Sequence, residues 1–484
     1  MAHDVLRTPQ AGAKVIRGGA VRSAGYALGV LLGAATSVFL LRHLGVVDFG
    51  RYATVAALLG IVSGITDAGL TAVGARELAV RPPGDERRRL LENLVALRLL
   101  ITPVGVLGAV AFALLADYGS TLVLGTLLAG LGVLLVNTQA TMMMPLSVEL
   151  RLGTLTGFEV AKQALTLVGV ALLVAVRASL LPFFLVQAAV GAAVLALTPR
   201  LLGSTVGLRP RLDRETARPL IRQALPLAVA LAMNVVYFRV LVILMSLLAT
   251  ATATGYFATS FRVFEVLFGL PTIVLSVALP VLSVAGREDE LRLRYGLQRM
   301  TEVALAASAL LTLVTIILAE AAIRLLAGEE FEGAAPVLRI QALALIGVFL
   351  GQTWQLGLIA VGRQASLAVA NGAALVLVVA LGLVLIPREG ATGAAIAAVV
   401  AELALALFAL VFLARSGRRL VPDFGFAWKT VLAVGIAASA TLVPGVSPWL
   451  SALLASALFL AAAVVLGALP RELLDALPRA RRVP

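Results

Sequence analysis

Long apolar runs recur along the whole chain, and short segments rich in arginine separate them. A membrane-spanning helix needs about 20 consecutive apolar residues. By that length the pattern predicts fourteen spanning helices. Their approximate spans are 23–44, 52–75, 94–116, 121–146, 158–177, 180–202, 223–248, 254–284, 300–327, 336–361, 365–387, 391–414, 427–446 and 448–468. The runs do not alternate between apolar and polar residues, so the pattern favours helices over a β-barrel.

The start of the second run has a weak copy in the second half of the chain. Gly50–Ala53 aligns with Gly255–Ala258 at an offset of 205 residues, and apolar runs flank both segments. A polar turn at Asp48–Arg51 is expected between the first two spans. Duplicated halves are common in transporters. We therefore predict an all-α polytopic membrane protein with two pseudo-symmetric six-helix lobes, residues 1–210 and 211–420, and two additional helices with a tail in 421–484.

The composition places this protein in lipid. Hydrophobic residues make up 61% of the chain, whereas soluble proteins contain roughly 45–50%. When the N-terminus is placed in the cytoplasm, most of the 39 lysines and arginines fall in cytoplasmic segments, as the positive-inside rule requires. The net charge of +13 thus reflects topology and not a nucleic-acid partner. We expect a multi-pass protein of the cell (inner) membrane with both termini cytoplasmic.

The residue inventory excludes several kinds of chemistry. The chain contains no cysteine and only two histidines, so thiolate catalysis and histidine metal sites are excluded. No catalytic triad, phosphate-binding glycine loop or dinucleotide-binding motif is present, and the loops are short. We expect no enzymatic activity, no catalytic residue, no metal and no cofactor.

Ionisable residues inside the apolar runs are the main candidates for function, because a charge is costly in lipid. They are Arg98, Lys162, Arg239, Arg262, Asp67, Glu159, Glu265 and Glu402. Glu159 and Lys162 are three residues apart, so this pair can neutralise itself on one helix face. Arg262 and Glu265 have the same spacing. Both pairs are open to a structural or a functional interpretation.

Arg98 and Arg239 have no acidic residue three or four positions away. We predict that they line a polar cavity for an anionic cargo, because guanidinium groups bind phosphate with both charge and geometry. Lys162 and Arg262 are further candidates for substrate binding. Asp67 is either the structural partner of Arg98 or, with Glu265, a site of coupling to H+ or Na+. Trp354, which lies between Gln352 and Gln355, is a candidate sugar platform, although a single tryptophan in a membrane helix is more often a packing or interfacial residue.

Three stretches of the chain resemble a known family. The segment 44–79, LGVVDFGRYATVAALLGIVSGITDAGLTAVGARELA, resembles the first helical hairpin of bacterial polysaccharide and oligosaccharide (O-antigen type) flippases. The segment 238–283 resembles their seventh and eighth helices, and 371–407 resembles their eleventh and twelfth. The superfamily also includes multidrug and toxic compound extrusion transporters and lipid II flippases.

The resemblance implies two lobes around a central cavity and alternating access. The implied cargo is a lipid-linked oligosaccharide with a polyprenyl diphosphate head, moved from the cytoplasmic to the outer leaflet for polysaccharide biosynthesis. No nucleotide would be bound, an ion gradient of H+ or Na+ is the candidate driving force, and a monomer is expected. Arg98 and Arg239, followed by Arg262, are the residues that the resemblance carries over. Many members have an acid two residues after the arginine of helix 7, where this chain has Leu241, so this chain lacks an acid for ion coupling at that position.

Three other functions remain open on the sequence alone. A multidrug or cation antiporter of the same superfamily would use Asp67 and Glu265. A membrane enzyme of polysaccharide polymerisation would need a larger outer loop than the one at 320–336. A membrane scaffold would not need charges inside its helices.

Overall fold

The computed structural model describes residues 11–67, 69–82, 84–149, 151–202, 210–272, 275, 282, 289–417, 420–442 and 444–469. Helices of the first half are α1 (Ala11–Asp67), α2 (Leu70–Val80), α3 (Asp85–Leu115), α4 (Ser120–Met142), α5 (Met144–Val148), α6 (Leu152–Ala175), α7 (Leu180–Leu202) and α8 (Arg214–Leu248). Those of the second half are α9 (Ala251–Phe268), α10 (Glu290–Ala327), α11 (Ala334–Ala342), α12 (Ala344–Ala360), α13 (Gln364–Ala414), α14 (Ala427–Ala438) and α15 (Pro448–Val465). Short 3₁₀ turns occupy Glu329–Phe331 and Ser439–Leu442.

The described residues contain helices and no strand, and ten of those helices are long and apolar enough to cross a membrane. Two of the ten, at Ala24–Val80 and Gln364–Ala414, are long enough for two crossings each. The helix at Ala251–Phe268 and the shorter apolar helix at Ala427–Leu442 occupy two further predicted spans. The predicted class, an all-α polytopic membrane protein of about fourteen spans, is confirmed.

Two glycines divide the longest helices. Gly45 in α1 has a φ of 67°, and Gly390 in α13 has a φ of 54°. Residues with a Cβ rarely adopt this left-handed backbone, so glycine allows the helix axis to change direction there. The predicted turn at Asp48–Arg51 is wrong: these residues are helical and form an i,i+3 salt bridge of 2.9 Å. The chain turns at Gly45, where the conformational freedom lies, and not at the charged residues.

The predicted spans also differ from the helices in several places, of which two concern the residues discussed below. The run expected at 52–75 is interrupted, because α1 ends at Asp67 and α2 begins at Leu70 after Gly69 in the αL conformation. Helix α8 begins nine residues before its predicted start at 223. Most of the predicted span 254–284 after residue 272 lies outside the described residues.

The chain divides into two compact units, Met1–Arg239 and Val240–Pro484. In the first unit α4 packs against α7 and α3, and α1 packs against α6. Side chains from α1, α3, α4 and α7, including Val55, Val106, Val133 and Phe184, form one of its cores. The predicted three-part division at 210 and 420 rests on loop length and the repeat, and it stays a prediction.

In the second unit α12 packs against α13 and α10. The helices α14 and α15 pack against α10, where Phe459 and Ala437 meet Ala309 in a buried cluster. Alanine dominates this cluster, which allows the helices to approach closely. The last two helices thus share a core with the rest of their unit.

Candidate functional site

The break between α1 and α2 lies inside a run that is otherwise apolar enough to span a membrane. The last carbonyl groups of a helix have no partner within the helix. Within hydrocarbon such groups must be satisfied by other parts of the protein. The sequence Thr66-Asp67 at the end of α1 therefore needs donors from neighbouring helices.

Arg98 of α3 supplies these donors. Its Nη1 donates to the Thr66 carbonyl oxygen at 3.0 Å, and its Nη2 donates to Asp67 Oδ1 at 2.5 Å. The same Nη2 lies 3.1 Å from Thr71 Oγ1 of α2, and Nε donates to Thr141 Oγ1 of α4 at 3.1 Å. The Thr71 hydroxyl in turn donates to Asp67 Oδ1. One guanidinium group thus joins four helices at the point where the spanning helix is broken.

The predicted Arg98–Asp67 pair is present, and its burial is asymmetric. The side chain of Arg98 is 1% exposed, whereas that of Asp67 is 39% exposed. A guanidinium group enclosed in this way, with its nitrogens engaged by the protein, has little surface to offer a ligand. The geometry supports a structural role for Arg98, and its role in substrate binding stays a prediction. A carboxylate that is already neutralised also attracts a cation less strongly, so coupling at Asp67 stays a prediction as well.

Arg239 of α8 occupies a different environment. It is half-buried, and its guanidinium lies over the ring of Phe238 at 5.3 Å. On its other side is Gly60 of α1, where a Cβ would lie 3.4 Å from Arg239 Nε. The side chain therefore lies against a helix backbone, in a space that glycine leaves open.

Close approach of two helices positions Arg239. Gly64 lies one turn from Gly60, and a Cβ there would come within 2.6 Å of Val235. Small residues spaced four apart permit such contacts between membrane helices.

The same pair of segments meets again further along. Arg76 of α2 donates to Gln223 of α8 at 2.6 Å. Sixteen residues separate Gly60 from Arg76 and sixteen separate Gln223 from Arg239, so α8 runs antiparallel to α1 and α2 in constant register. We call Gly60, Gly64, Val235 and Arg239 the α1–α8 contact.

The other charged candidates form local pairs, as their spacing allowed. Lys162 contacts Glu159 at 2.7 Å on α6, and Arg262 contacts Glu265 at 2.8 Å on α9. The side chains of Arg262 and Glu265 are 46% and 22% exposed, so the arginine of this pair is exposed and the glutamate is partly buried. The roles of Lys162 and Arg262 in binding, and of Glu265 in coupling, stay predictions.

Trp354 lies in a core of the second unit. Its side chain is 4% exposed, and its Nε1 donates to Thr301 Oγ1 at 3.2 Å. The ring of Phe424 meets it edge to face at 6.1 Å. These contacts give the indole a packing role and leave no exposed ring face for a sugar to stack on. Sugar binding by Trp354 stays a prediction.

Uncharged polar residues around Arg98 were missed by the sequence reasoning, which considered ionisable groups. Thr71 and Thr141 complete the hydrogen bonds of the guanidinium. Nearby, the Ser63 hydroxyl donates to Asn137 Oδ1 at 3.3 Å, joining α1 to α4. An asparagine in a long apolar run is the signal that could have revealed this cluster, since an amide in lipid needs a partner. Among the described residues no three His, Cys, Asp or Glu side chains are grouped to hold a metal.

Comparison with known proteins identifies the family. A family model described as "Polysaccharide biosynthesis protein" matches residues 15–285, more than half of the chain. The chain belongs to this polysaccharide biosynthesis protein family. Comparison with curated protein sequences gave no match.

Solved structures show the fold of this family member. The lipid II flippase MurJ in an inward closed conformation is 13% identical, with a TM-score of 0.77 over 94% of this chain and 99% of that one. An inward-facing multidrug resistance transporter of the MATE family and MOP superfamily is 12% identical, with a TM-score of 0.65 over 80% of this chain and 96% of that one. A MOP superfamily transporter from Pyrococcus furiosus is 12% identical, with a TM-score of 0.58 over 85% and 96%. The chain is therefore a multi-pass membrane protein with a transporter fold.

Proposed function

We propose that this family member is a flippase that moves a polyprenyl-diphosphate-linked oligosaccharide from the cytoplasmic to the outer leaflet by alternating access. The observation that carries the proposal is the placement of Arg239. In a polysaccharide biosynthesis protein with a transporter fold, this arginine lies half-buried at membrane depth against a helix backbone.

The chemistry of Arg239 suits a diphosphate head group. Its guanidinium is planar and presents several N–H donors in one fork, which matches phosphate oxygens in pairs. Contact with Phe238 and Gly60 restricts the side chain, so less conformational entropy is lost when an anion binds. Arg262 and Lys162 would add positive charge along the path, and Trp354 would act by supporting its unit and not by stacking on the sugar.

The acidic residues favour an anionic cargo over a cationic drug. Asp67, Glu159 and Glu265 each form a salt bridge with a basic residue. A multidrug or cation antiporter would need a carboxylate that attracts the cargo, and a neutralised carboxylate does so weakly. If H+ or Na+ drives the cycle, Glu265 is the better coupling candidate of the two proposed, because its partner Arg262 is exposed, whereas Asp67 is held by the buried Arg98.

Transport requires no covalent chemistry, and we propose none for this chain. The polysaccharide polymerisation alternative would require a group positioned to cleave or form a glycosidic bond, and we identify no residue for that task. We propose that the protein works in the cell membrane as a monomer with both termini in the cytoplasm.

Complementation of a flippase-deficient strain tests the proposal. The wild-type gene should restore surface polysaccharide, and Arg239→Ala should restore much less of it while membrane levels of the protein stay normal. Arg51→Ala, which removes an exposed arginine of the same unit, is the matched control and should retain activity. Failure of the wild type with every lipid-linked glycan tested, or full activity of Arg239→Ala, would contradict the proposal.

A further inference from the structure

The first turns of α8 carry an unusual row of charges. Arg214, Arg218 and Arg222 are exposed and are spaced four residues apart, which places them on one helix face. At 1.5 Å per residue they extend over about 12 Å. We call these three residues the arginine row. Its spacing gives about 6 Å between neighbouring positions along the axis.

The arginine row differs from the arginines around it. Arg76, Arg87 and Arg88 each form a salt bridge with a glutamate. In the part of the chain that the structure describes, no salt bridge involves Arg214, Arg218 or Arg222. The positive charge of the row is therefore available to an anion from outside the chain.

The protein holds the row in a fixed orientation. On the opposite side of α8, Ala217, Leu220 and Ala224 are buried in a cluster with α2 and α3. Ahead of the helix, Asn93 Nδ2 donates to the Asp213 carbonyl oxygen at 2.8 Å. The arginines consequently point away from the unit that anchors their helix.

The same face changes from charged to aliphatic towards the membrane. Ile221, Leu225 and Val229 continue it, and Leu225 is 59% exposed. Beyond Gln223 the sequence of α8 is almost entirely apolar. A helix of 35 residues is about 52 Å long, well beyond a hydrocarbon layer of about 30 Å. This order of residues places the arginine row at the level of the lipid head groups, with the aliphatic residues among the first acyl carbons.

We propose that the arginine row binds the phosphate groups of anionic phospholipids in the adjacent leaflet. Basic clusters beside a spanning helix attract anionic lipids in this way. A single diphosphate would be held by donors that converge on it, whereas a straight row over three helical positions suits several separate phosphates. This inference concerns the lipid around the protein and does not depend on the transported cargo.

Fluorescence quenching tests the proposal on the full chain. Because the protein has no cysteine, Leu225→Cys can carry a single fluorophore next to the row. The protein is placed in phosphatidylcholine nanodiscs containing an equal fraction of brominated phosphatidylglycerol or brominated phosphatidylcholine. We expect the phosphatidylglycerol to quench more strongly, with a local enrichment of roughly fivefold that falls as salt is added.

Two triple variants locate the effect. Arg214→Gln, Arg218→Gln and Arg222→Gln together should remove the excess quenching. Arg292→Gln, Arg294→Gln and Arg415→Gln remove the same charge from exposed arginines of the second unit and should leave the excess unchanged. Quenching by brominated phosphatidylcholine should be the same in all three proteins, which shows that the labelled helix is intact.

Three results would overturn the proposal. The first is equal quenching by both lipids in the wild type. The second is an equal loss in the two triple variants, which would assign the effect to net charge. The third is loss of the excess when a small amount of polyprenyl diphosphate is added, which would assign the row to the carrier lipid.

Discussion

Arg98 and Arg239 are both arginines at membrane depth, yet they differ in burial and in the groups that they contact. Arg98 is 1% exposed and donates hydrogen bonds to three neighbouring helices at a break in α1. Arg239 is half-buried and lies along the backbone of α1 at Gly60. The comparison teaches that depth in the membrane alone does not identify a binding residue. What marks Arg98 as structural is its almost complete burial, together with hydrogen bonds to three neighbouring helices.

Disruption of the Arg98 network should give the largest effect. Asp67→Ala leaves the charge of Arg98 buried without its carboxylate, and this should lower the free energy of unfolding by about 3–5 kcal/mol. Thermal unfolding in detergent measures the change. Glu265→Ala, which leaves behind an arginine that is itself exposed, should cost about 1 kcal/mol or less. Equal stability of Asp67→Ala and the wild type would show that Arg98 is not held as the structure indicates.

Replacement of Arg239 should affect transport more than stability. If Arg239 binds the cargo as we propose, loss of its charged hydrogen bond in Arg239→Ala should slow translocation by roughly tenfold to a hundredfold. Arg239→Lys should keep part of the activity, because lysine retains the charge and loses the planar fork. Transport and thermal unfolding are measured on the same preparations. A variant that unfolds early and transports normally when folded would place Arg239 with Arg98 among the structural arginines.

The α1–α8 contact should respond to added bulk at Gly64. A Cβ there would lie 2.6 Å from Val235, so Gly64→Ala should destabilise the protein by about 1–3 kcal/mol through overpacking. Gly33→Ala is the matched control on the same helix, because no atom lies within 4 Å of its Cβ position. It should be neutral or slightly stabilising. If both variants unfold at the same temperature, Arg239 is not positioned by this close approach.

The smallest effect on stability is expected for Asp213, which lies exposed at the start of α8. The Thr216 hydroxyl, together with the backbone N–H groups of Glu215 and Thr216, lowers the pKa of Asp213. The stabilisation is therefore present above the ordinary pKa of an aspartate and is lost as the pH falls through the lowered value. Acid or Asp213→Ala should speed hydrogen exchange at the first turn of α8 and leave global unfolding nearly unchanged. If Asp213→Ala lowered the free energy of unfolding as much as Asp67→Ala, burial of the partner arginine would not explain why Asp67 matters more for stability.

The sequence was sufficient for the class of the fold and for local pairs. Apolar runs of spanning length predicted the helices, and three-residue spacing predicted the contacts of Lys162 with Glu159 and of Arg262 with Glu265. Both features depend on neighbours along the chain, which a sequence shows directly.

The surroundings of the two arginines depend on which helices pack side by side, and the sequence did not predict them. Arg98 and Arg239 had the same local surroundings in sequence, and only the positions of other helices separate them. The sequence did not predict the break between α1 and α2 after Asp67, because no proline lies there and the surrounding residues continue an apolar run. Charged residues at Asp48–Arg51 predict a turn there, whereas Gly45 supplies the backbone conformation that turns the chain.

Reconstituted translocation tests the central claim most directly. Vesicles containing the purified protein and a polyprenyl-diphosphate-linked oligosaccharide are probed with an enzyme that modifies only lipid exposed on the outside. The account predicts that the wild type exposes the lipid well above the rate of protein-free vesicles, and that stably folded Arg239→Ala does so at roughly a tenth of the wild-type rate or less. Equal rates for the two proteins, or no exposure by the wild type, would contradict it.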